Sequence, residues 1–230
     1  MSLKQASLSL IVAATTKNGI GKNGGLPWPM LKKEMAYFAR VTKRVPMPKD
    51  TGSLQSDLQK HSMLEGVRQN AVIMGRKTWE SIPPKFRPLK GRTNIVISSQ
   101  ARDSLGYLPD DVIVAPSITT SLEALSQAVT DQKALPVGRI FVIGGSSIYK
   151  TALELPQVNS ILLTRIQNDF DCDTCFPADL TSDENVSSGW ARQSQLGLSG
   201  FVGEEVPSGL ESESGHDGEV HYEFQLFQRR

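Results

Sequence analysis

Short apolar runs rich in Val and Ile recur along the chain at residues 8–14, 71–74, 93–98, 111–115, 139–143 and 160–164. Their hydrophobicity is nearly continuous rather than alternating, which predicts strands buried on both faces and hence a largely parallel α/β sheet. Between them lie stretches with a helical period. Residues 30–42 place Leu31, Met35 and Phe38 at i, i+4 and i+7; Thr120-Ser-Leu-Glu123 reads as a capping box around the start of a stripe of Leu122, Leu125 and Val129; residues 146–155 carry Ile148, Ala152 and Leu155. Toward the end the period changes. Val220, Tyr222, Phe224 and Leu226 alternate with His221, Glu223 and Gln225, the pattern of a half-exposed antiparallel strand closing one sheet edge.

Two segments interrupt this pattern. Residues 43–66 include Val-Pro-Met-Pro-Lys-Asp-Thr-Gly-Ser with little apolar periodicity, and residues 203–219 are rich in Gly, Ser and Glu. Neither flanks a stretch that could form its own core, so both are expected to be surface insertions in one domain spanning residues 1–230. The 230 residues, 39% of them hydrophobic, suffice for one substantial core. The 25 Lys and Arg nearly balance the 24 Asp and Glu. No field of one sign then covers the surface, and neither nucleic acid nor an anionic membrane is expected as the main ligand. No apolar run approaches the roughly 20 residues of a membrane span, and the start, Met-Ser-Leu-Lys-Gln, lacks the regions of a signal peptide. A cytoplasmic location is the expectation.

The two cysteines, Cys172 and Cys175, form a lone C-x-x-C. A zinc site needs four ligands, and His61, His216 and His221 lie far away with no second close pair. A thioredoxin-type pair sits at a helix N-terminus, whereas Phe-Pro follows Cys175 at once. Two reduced thiols and no metal site are expected.

Gly19-Ile-Gly-Lys-Asn-Gly-Gly-Leu-Pro-Trp-Pro contains a literal G-x-G-x-x-G after the first apolar run. A dinucleotide fingerprint needs a helix beginning within the glycines. Pro27 and Pro29 prevent that, because they lack N–H donors and push Leu26 and Trp28 into extended conformations. The glycines are therefore expected in a flexible loop ending in a stiff corner. In the helix that follows, Glu34 shares the apolar face with Leu31, Met35 and Phe38. Two readings stand: a carboxylate that curls out to water, or an acid awaiting a cationic or amidine-like ligand in a closed pocket, where desolvation would raise its pKa.

Two strand ends look suited to phosphate. Val-Ile-Met-Gly75-Arg76-Lys77-Thr78 and Phe-Val-Ile-Gly144-Gly145-Ser146-Ser147 each run from a buried strand through glycine into a helix start. Free N–H groups at a helix start bind anions, and glycine allows close approach. Two such turns at the carboxyl ends of parallel strands fit a ligand in the crevice of an open α/β sheet.

Together these residues resemble the dihydrofolate reductase family. The matching blocks are the 19–29 loop, Leu-Lys-Lys-Glu34-Met-Ala-Tyr-Phe, Met-Gly-Arg-Lys-Thr-Trp, Arg-Pro-Leu-Lys-Gly-Arg92, Gly-Gly-Ser-Ser-Ile-Tyr and Leu-Thr164-Arg-Ile, in the family's order and covering most of residues 8–180. The resemblance implies a twisted, mostly parallel sheet of about eight strands with an antiparallel C-terminal edge, flanked by helices. It also implies NADPH-dependent reduction of 7,8-dihydrofolate to 5,6,7,8-tetrahydrofolate for one-carbon metabolism, with hydride to pterin C6 and a proton to N5.

Carried to matching positions, the resemblance makes Glu34 the pterin anchor and promoter of N5 protonation. Thr164 is implied to bond Glu34, and Trp28 to help hold a water, with Leu26 beside them on the loop. Ile11, Val12, Met35, Phe38, Ile82, Leu89 and Ile143 are implied to sandwich the pterin and benzoyl rings, and Arg92 to grip the glutamate α-carboxylate. For the cofactor, Ala13 and Ile20 are implied at the nicotinamide. Gly75, Arg76, Lys77 and Thr78, with Gly144, Gly145, Ser146, Ser147, Ile148 and Tyr149, are implied to cradle the phosphates, across a cis Gly144–Gly145 peptide. Antifolate inhibitors as ligands and a monomeric state are also implied.

This chain departs from the family pattern in places. Gly25 stands where Asp is frequent, Cys175 where Phe is common, and Ser99, after Ser98, where a basic residue often meets the 2′-phosphate. Arg76 remains, and Arg102 is a candidate to compensate. Two alternatives stay open: a reductase of this fold acting on another heterocycle, as in the riboflavin pathway, and a folate- or cofactor-binding module without chemistry.

Overall fold

The computed structural model describes residues 3–46, 67–180, 189–215 and 218–230. Most of the expected insertion at 43–66 lies outside the described residues, as do His61 and His216. The strands are β1 (Leu8–Thr15), β2 (Gly19–Gly21), β3 (Gln69–Gly75), β4 (Arg92–Ile97), β5 (Ile113–Ala115), β6 (Val137–Val142), β7 (Val158–Ile166), β8 (Thr174–Cys175), β9 (Trp190–Arg192), β10 (Glu211–Gly215) and β11 (Gly218–Arg229). Among the described residues the α-helices are α1 (Lys32–Lys43), α2 (Arg76–Ser81), α3 (Ile118–Thr130), α4 (Ser146–Leu153) and α5 (Gln195–Val202).

Eight strands lie in the order β10-β11-β7-β1-β6-β3-β4-β5, with β9 also paired to β11. From β7 to β5 every pairing is parallel; β11 runs antiparallel to β7, β10 and β9. All six apolar runs fall in strands, for the expected reason: β1, β3, β4 and β7 are buried on both faces. Side chains alternate between two apolar layers. Leu8, Leu10, Val12 and Ala14 of β1 pack with Ile118, Leu122 and Leu125 of α3 and Ala152 of α4. Ile11 points the other way, with Val72 and Met74 of β3, into the layer formed by Leu31, Tyr37 and Val41 near and on α1 and by Leu198 and Val202 of α5. Each fully buried aliphatic side chain contributes roughly 1.5–3 kcal/mol, so both helical layers are firmly held.

Several expectations need correction. The third helix begins at Ile118, and its capping box is Ser117 with Thr120: the Ser117 hydroxyl accepts the Thr120 N–H, and the Thr120 hydroxyl accepts the Ser117 N–H. Within residues 203–219, expected as a surface insertion, 211–215 form β10 on β11, a strand the sequence reading did not place. The antiparallel C-terminal edge is thus present as the β10–β11 hairpin, with β10 outermost, and Phe224, Gln225, Leu226 and Phe227 of β11 are buried on both faces.

The glycine-rich segment is a tied turn rather than a loose loop. Lys22 and Gly25 exchange backbone hydrogen bonds around Asn23 and Gly24, both at positive φ, and β2 pairs with β8. Three acids from the facing segment hold it further. Asp169 pairs with Lys17 at 2.8 Å, Asp171 with Lys22 at 2.7 Å, and Asp173 accepts the Asn23 N–H at 2.7 Å. Gly19 leaves room for Cys172, because a Cβ there would sit 2.3 Å from the Cys172 Sγ.

Candidate active site

The Pro27–Pro29 corner delivers the chain into α1 at Leu31, and Glu34 lies in the first turn. Its side chain is only 8% exposed. The Thr164 hydroxyl, toward the carboxyl end of β7, donates to Glu34 Oε1 at 3.1 Å. Among the described residues no cation pairs with Glu34. Burial pushes its carboxyl up to about 7; the Thr164 hydrogen bond opposes this, and the nearby charge of Glu213 adds to it. Of the two readings of Glu34, the buried one holds. The helix face differs in detail: Glu34, Tyr37 and Val41 form the buried stripe, while Met35 is 46% exposed and Phe38 lies at its edge. Tyr37 takes the core position because its ring packs against Phe224, with centroids 4.0 Å apart.

Two turns further along α1, Thr42 meets a second isolated charge. Arg92, the first residue of β4 and 7% exposed, donates through Nη1 to Thr42 Oγ1 at 2.8 Å and through Nε to the Lys90 carbonyl at 3.2 Å. Its guanidinium lies 5.9 Å from the Phe38 ring centroid. No carboxylate among the described residues neutralises it, and burial lowers its pKa to about 10. Glu34 and Thr42 are eight residues apart on one helix, so the acid and the arginine's anchor are separated by about 12 Å of helix rise. Ile11, Trp28, Phe38, Ile82, Leu89 and Ile143 all belong to the apolar cluster on this side of the sheet. Val12 does not: its side chain packs in the opposite layer, as strand alternation requires. Leu26 is 55% exposed.

The two glycine turns lie side by side at the carboxyl ends of β3 and β6, with the Gly75 N–H donating to the Gly144 carbonyl at 2.7 Å. The Gly144–Gly145 peptide is cis. Neither Gly75 nor Gly144 has room for a side chain: a Cβ would come within 2.9 Å of Ile148 Cγ1 and of the Tyr149 ring, respectively. Thr78 stands beside Gly145. Ile148 and Tyr149 turn inward, and the buried Tyr149 donates its hydroxyl to the Ile11 carbonyl at 2.7 Å. Ser146 Oγ donates to the Cys175 carbonyl at 2.5 Å. Cys172 and Cys175 are unbridged, and burial raises the Cys172 thiol pKa, with adjacent acids contributing, which is the reverse of a reactive pair.

Residues 51–193 match the family model described as dihydrofolate reductase. The chain is 41% identical to dihydrofolate reductase of Pneumocystis carinii over 98% of each protein, and 34% identical to that of Gallus gallus over 97% of this chain and 96% of the relative. A solved structure of Schistosoma mansoni dihydrofolate reductase superposes with a TM-score of 0.68 at 30% identity, covering 98% of this chain and 99% of that one. The chain belongs to the dihydrofolate reductase family. The near full-length relatives span α1 as well as the matched region, so Glu34, Thr164 and Arg92 all lie within the aligned length.

As a dihydrofolate reductase fold, the chain differs from expectation at the end assigned to the 2′-phosphate. Arg102 does not reach toward Ser98 and Ser99. Its guanidinium donates to the carbonyls of Val112, Leu108 and Pro109 and so ties the loop before β5. Arg76 donates to both carboxylate oxygens of Glu80, one turn along α2, at 2.8 and 2.9 Å. Sequence reasoning also missed Glu213, whose carboxylate reaches the start of α1 from residues dismissed as an insertion. Only its place in a Ser-Glu alternation before a hairpin Gly hinted at a strand.

Proposed function

We propose that this chain reduces 7,8-dihydrofolate to 5,6,7,8-tetrahydrofolate using NADPH. One observation carries the substrate assignment: a buried acid on α1 and a buried arginine on β4 that bonds Thr42 of the same helix, neither with a charged partner among the described residues, border one apolar cluster. Leaving either charge buried alone is costly. A ligand with an amidine-like edge at one end, a flat apolar middle and a carboxylate at the other satisfies both. Dihydrofolate has that form. The pterin 2-amino group and N3 meet Glu34 in a paired hydrogen bond, and the glutamate α-carboxylate meets the free donors of Arg92. Between them Ile11, Phe38, Ile82, Leu89 and Ile143 contact the rings.

Glu34 holds the proton destined for N5. Its raised pKa keeps much of it protonated near neutrality, the regime in which a general acid works. Thr164 fixes the carboxyl's direction, and buried Trp28 walls the site. NADPH, when bound, supplies the hydride that reduces pterin C6. The residues present fit its pyrophosphate: two helix starts without a side-chain cap, glycines with no space for a Cβ, and Lys77, Thr78 and Ser147 alongside. For the 2′-phosphate, Arg76 must exchange Glu80 for the ligand. The tied 19–25 turn borders this end of the sheet, its Gly19 N–H bonded to Thr15 at the end of β1.

Loss of reduced-nicotinamide absorbance with purified protein, dihydrofolate and either NADPH or NADH tests the proposal. NADPH-dependent turnover supports it. Turnover of another heterocycle alone, or binding without turnover, refutes it.

A further inference from the structure

The start of α1 has no cap of its own. Leu31 occupies the capping position, and its side chain accepts no hydrogen bond. The first N–H groups of a helix need acceptors, and the positive end of the helix favours an anion. Both needs are met from 180 residues away. Glu213 in β10 accepts the Lys33 N–H at 2.9 and 3.0 Å and the Glu34 N–H at 3.1 Å. The Tyr222 hydroxyl, from β11, donates to the same carboxylate at 2.7 Å. Hairpin register fixes the reach, because Glu213 pairs with Val220 and its neighbour Glu211 with Tyr222.

Resting on the reading of Glu34 as the proton-holding residue, we propose that Glu213 is a positioning residue for catalysis: it clamps the helix turn that carries Glu34 and sets a fixed negative charge behind it that favours its protonated form.

The charges around Glu34 support this assignment. Tyr37 from its own helix, Tyr149 from α4 and Tyr222 from β11 all feel its charge, but burial holds each phenol far above neutrality. Thr164 from β7 is neutral. Lys33 points out to Glu211 and the Ser212 carbonyl. Glu213 is the group that stays ionised beside it. Burial pushes its carboxyl up, but the Lys33 N–H, the Tyr222 hydroxyl and the Glu34 N–H outweigh this and hold it below the usual range. Two neighbouring carboxyls do not both ionise readily, so the better-bonded Glu213 takes the charge and leaves the proton on Glu34.

The test is a titration of Glu34 in three proteins: wild type, Glu213→Gln and Glu213→Asp. It is followed by carboxyl-carbon NMR without ligand, and by the pH profile of the hydride step under single turnover. Glu213→Gln keeps an acceptor but removes the charge. Its Glu34 titration is expected to fall by about half a pH unit, with about 3-fold less turnover on the alkaline side. Glu213→Asp is expected to restore the wild-type midpoint while raising KM for dihydrofolate, because the shorter side chain clamps the turn less well. Tyr222→Phe, which retains the charge, should leave the midpoint in place. An unmoved Glu34 midpoint in a folded Glu213→Gln protein overturns the proposal. If Glu213→Gln does not fold, a Glu213→Asp protein with an unchanged KM for dihydrofolate overturns it instead. Absence of dihydrofolate turnover in the wild type would refute the assigned reaction, and the NMR titration would still decide the coupling.

Discussion

Replacing Glu34 with glutamine should make the protein more stable above neutral pH while removing most of its activity. In the unfolded chain this carboxyl has its ordinary value of 4.5, and in the fold burial raises it to about 7. The folded state therefore binds the proton more tightly. The stability this group contributes is full below pH 4.5 and is lost as pH rises through about 7. The gap corresponds to about 3 kcal/mol, the cost of ionising a carboxyl that is 8% exposed and lacks a cation. In the Glu34→Gln protein the amide oxygen would still accept the Thr164 hydroxyl, and the side chain would carry no charge at any pH. Denaturant unfolding of both proteins at several values between pH 5 and pH 8 measures the difference. At pH 5 the difference should be under about 1 kcal/mol, and by pH 8 the Glu34→Gln protein should be more stable by up to about 3 kcal/mol. The hydride step should meanwhile fall roughly 100- to 10,000-fold. A stability difference that does not vary with pH would refute the burial argument.

Other outcomes follow from the same geometry. The hydride rate of the wild type should be highest below about pH 7 and decline above it, because the protonated Glu34 is the working form; a flat profile from pH 5 to 9 under single turnover would contradict this. Arg92→Leu should raise KM for dihydrofolate by about 10- to 100-fold, the worth of a charge-assisted contact, and should leave KM for a pterin without glutamate nearly unchanged. Equal effects on both substrates would remove Arg92 from tail recognition. Gly144→Ala should destabilise the fold by about 1–3 kcal/mol, since φ is +106° and the new Cβ would meet the Tyr149 ring at 2.9 Å; thermal denaturation is the check. Asp173→Ala, which frees the Asn23 N–H, should raise KM for NADPH without a comparable loss of thermal stability, whereas unchanged kinetics would mean that the turn does not act on the cofactor.

Buried strands and the acid on α1 were legible in the sequence because their signals are local. A continuous Val and Ile run has few uses other than a doubly covered strand, and a Glu three residues from a core Leu lies on the apolar face, although the sequence left open whether its carboxylate curls out to water. Contacts set by tertiary pairing were not legible. The capping box around Ser117 was misplaced by three residues because Ser and Thr crowd that stretch and several could cap. Arg102 looked free for a phosphate, but its carbonyl partners come from a loop that only folding brings near. Tyr149 sits in a phosphate-binding motif yet serves the core, because helical period turns it inward. Glu213 escaped notice for the same reason: its targets lie 180 residues upstream, and a polar Ser-Glu stretch carries no apolar pattern to announce a strand.

The most direct test of the central claim is single-turnover reduction of dihydrofolate by NADPH, measured for the wild type and for Glu34→Gln across pH. The account predicts fast NADPH-dependent reduction by the wild type that declines as pH rises through about 7, and a slow reaction in Glu34→Gln without that inflection. Near-normal reduction by Glu34→Gln with the inflection retained would show that the proton is held elsewhere and contradict the account.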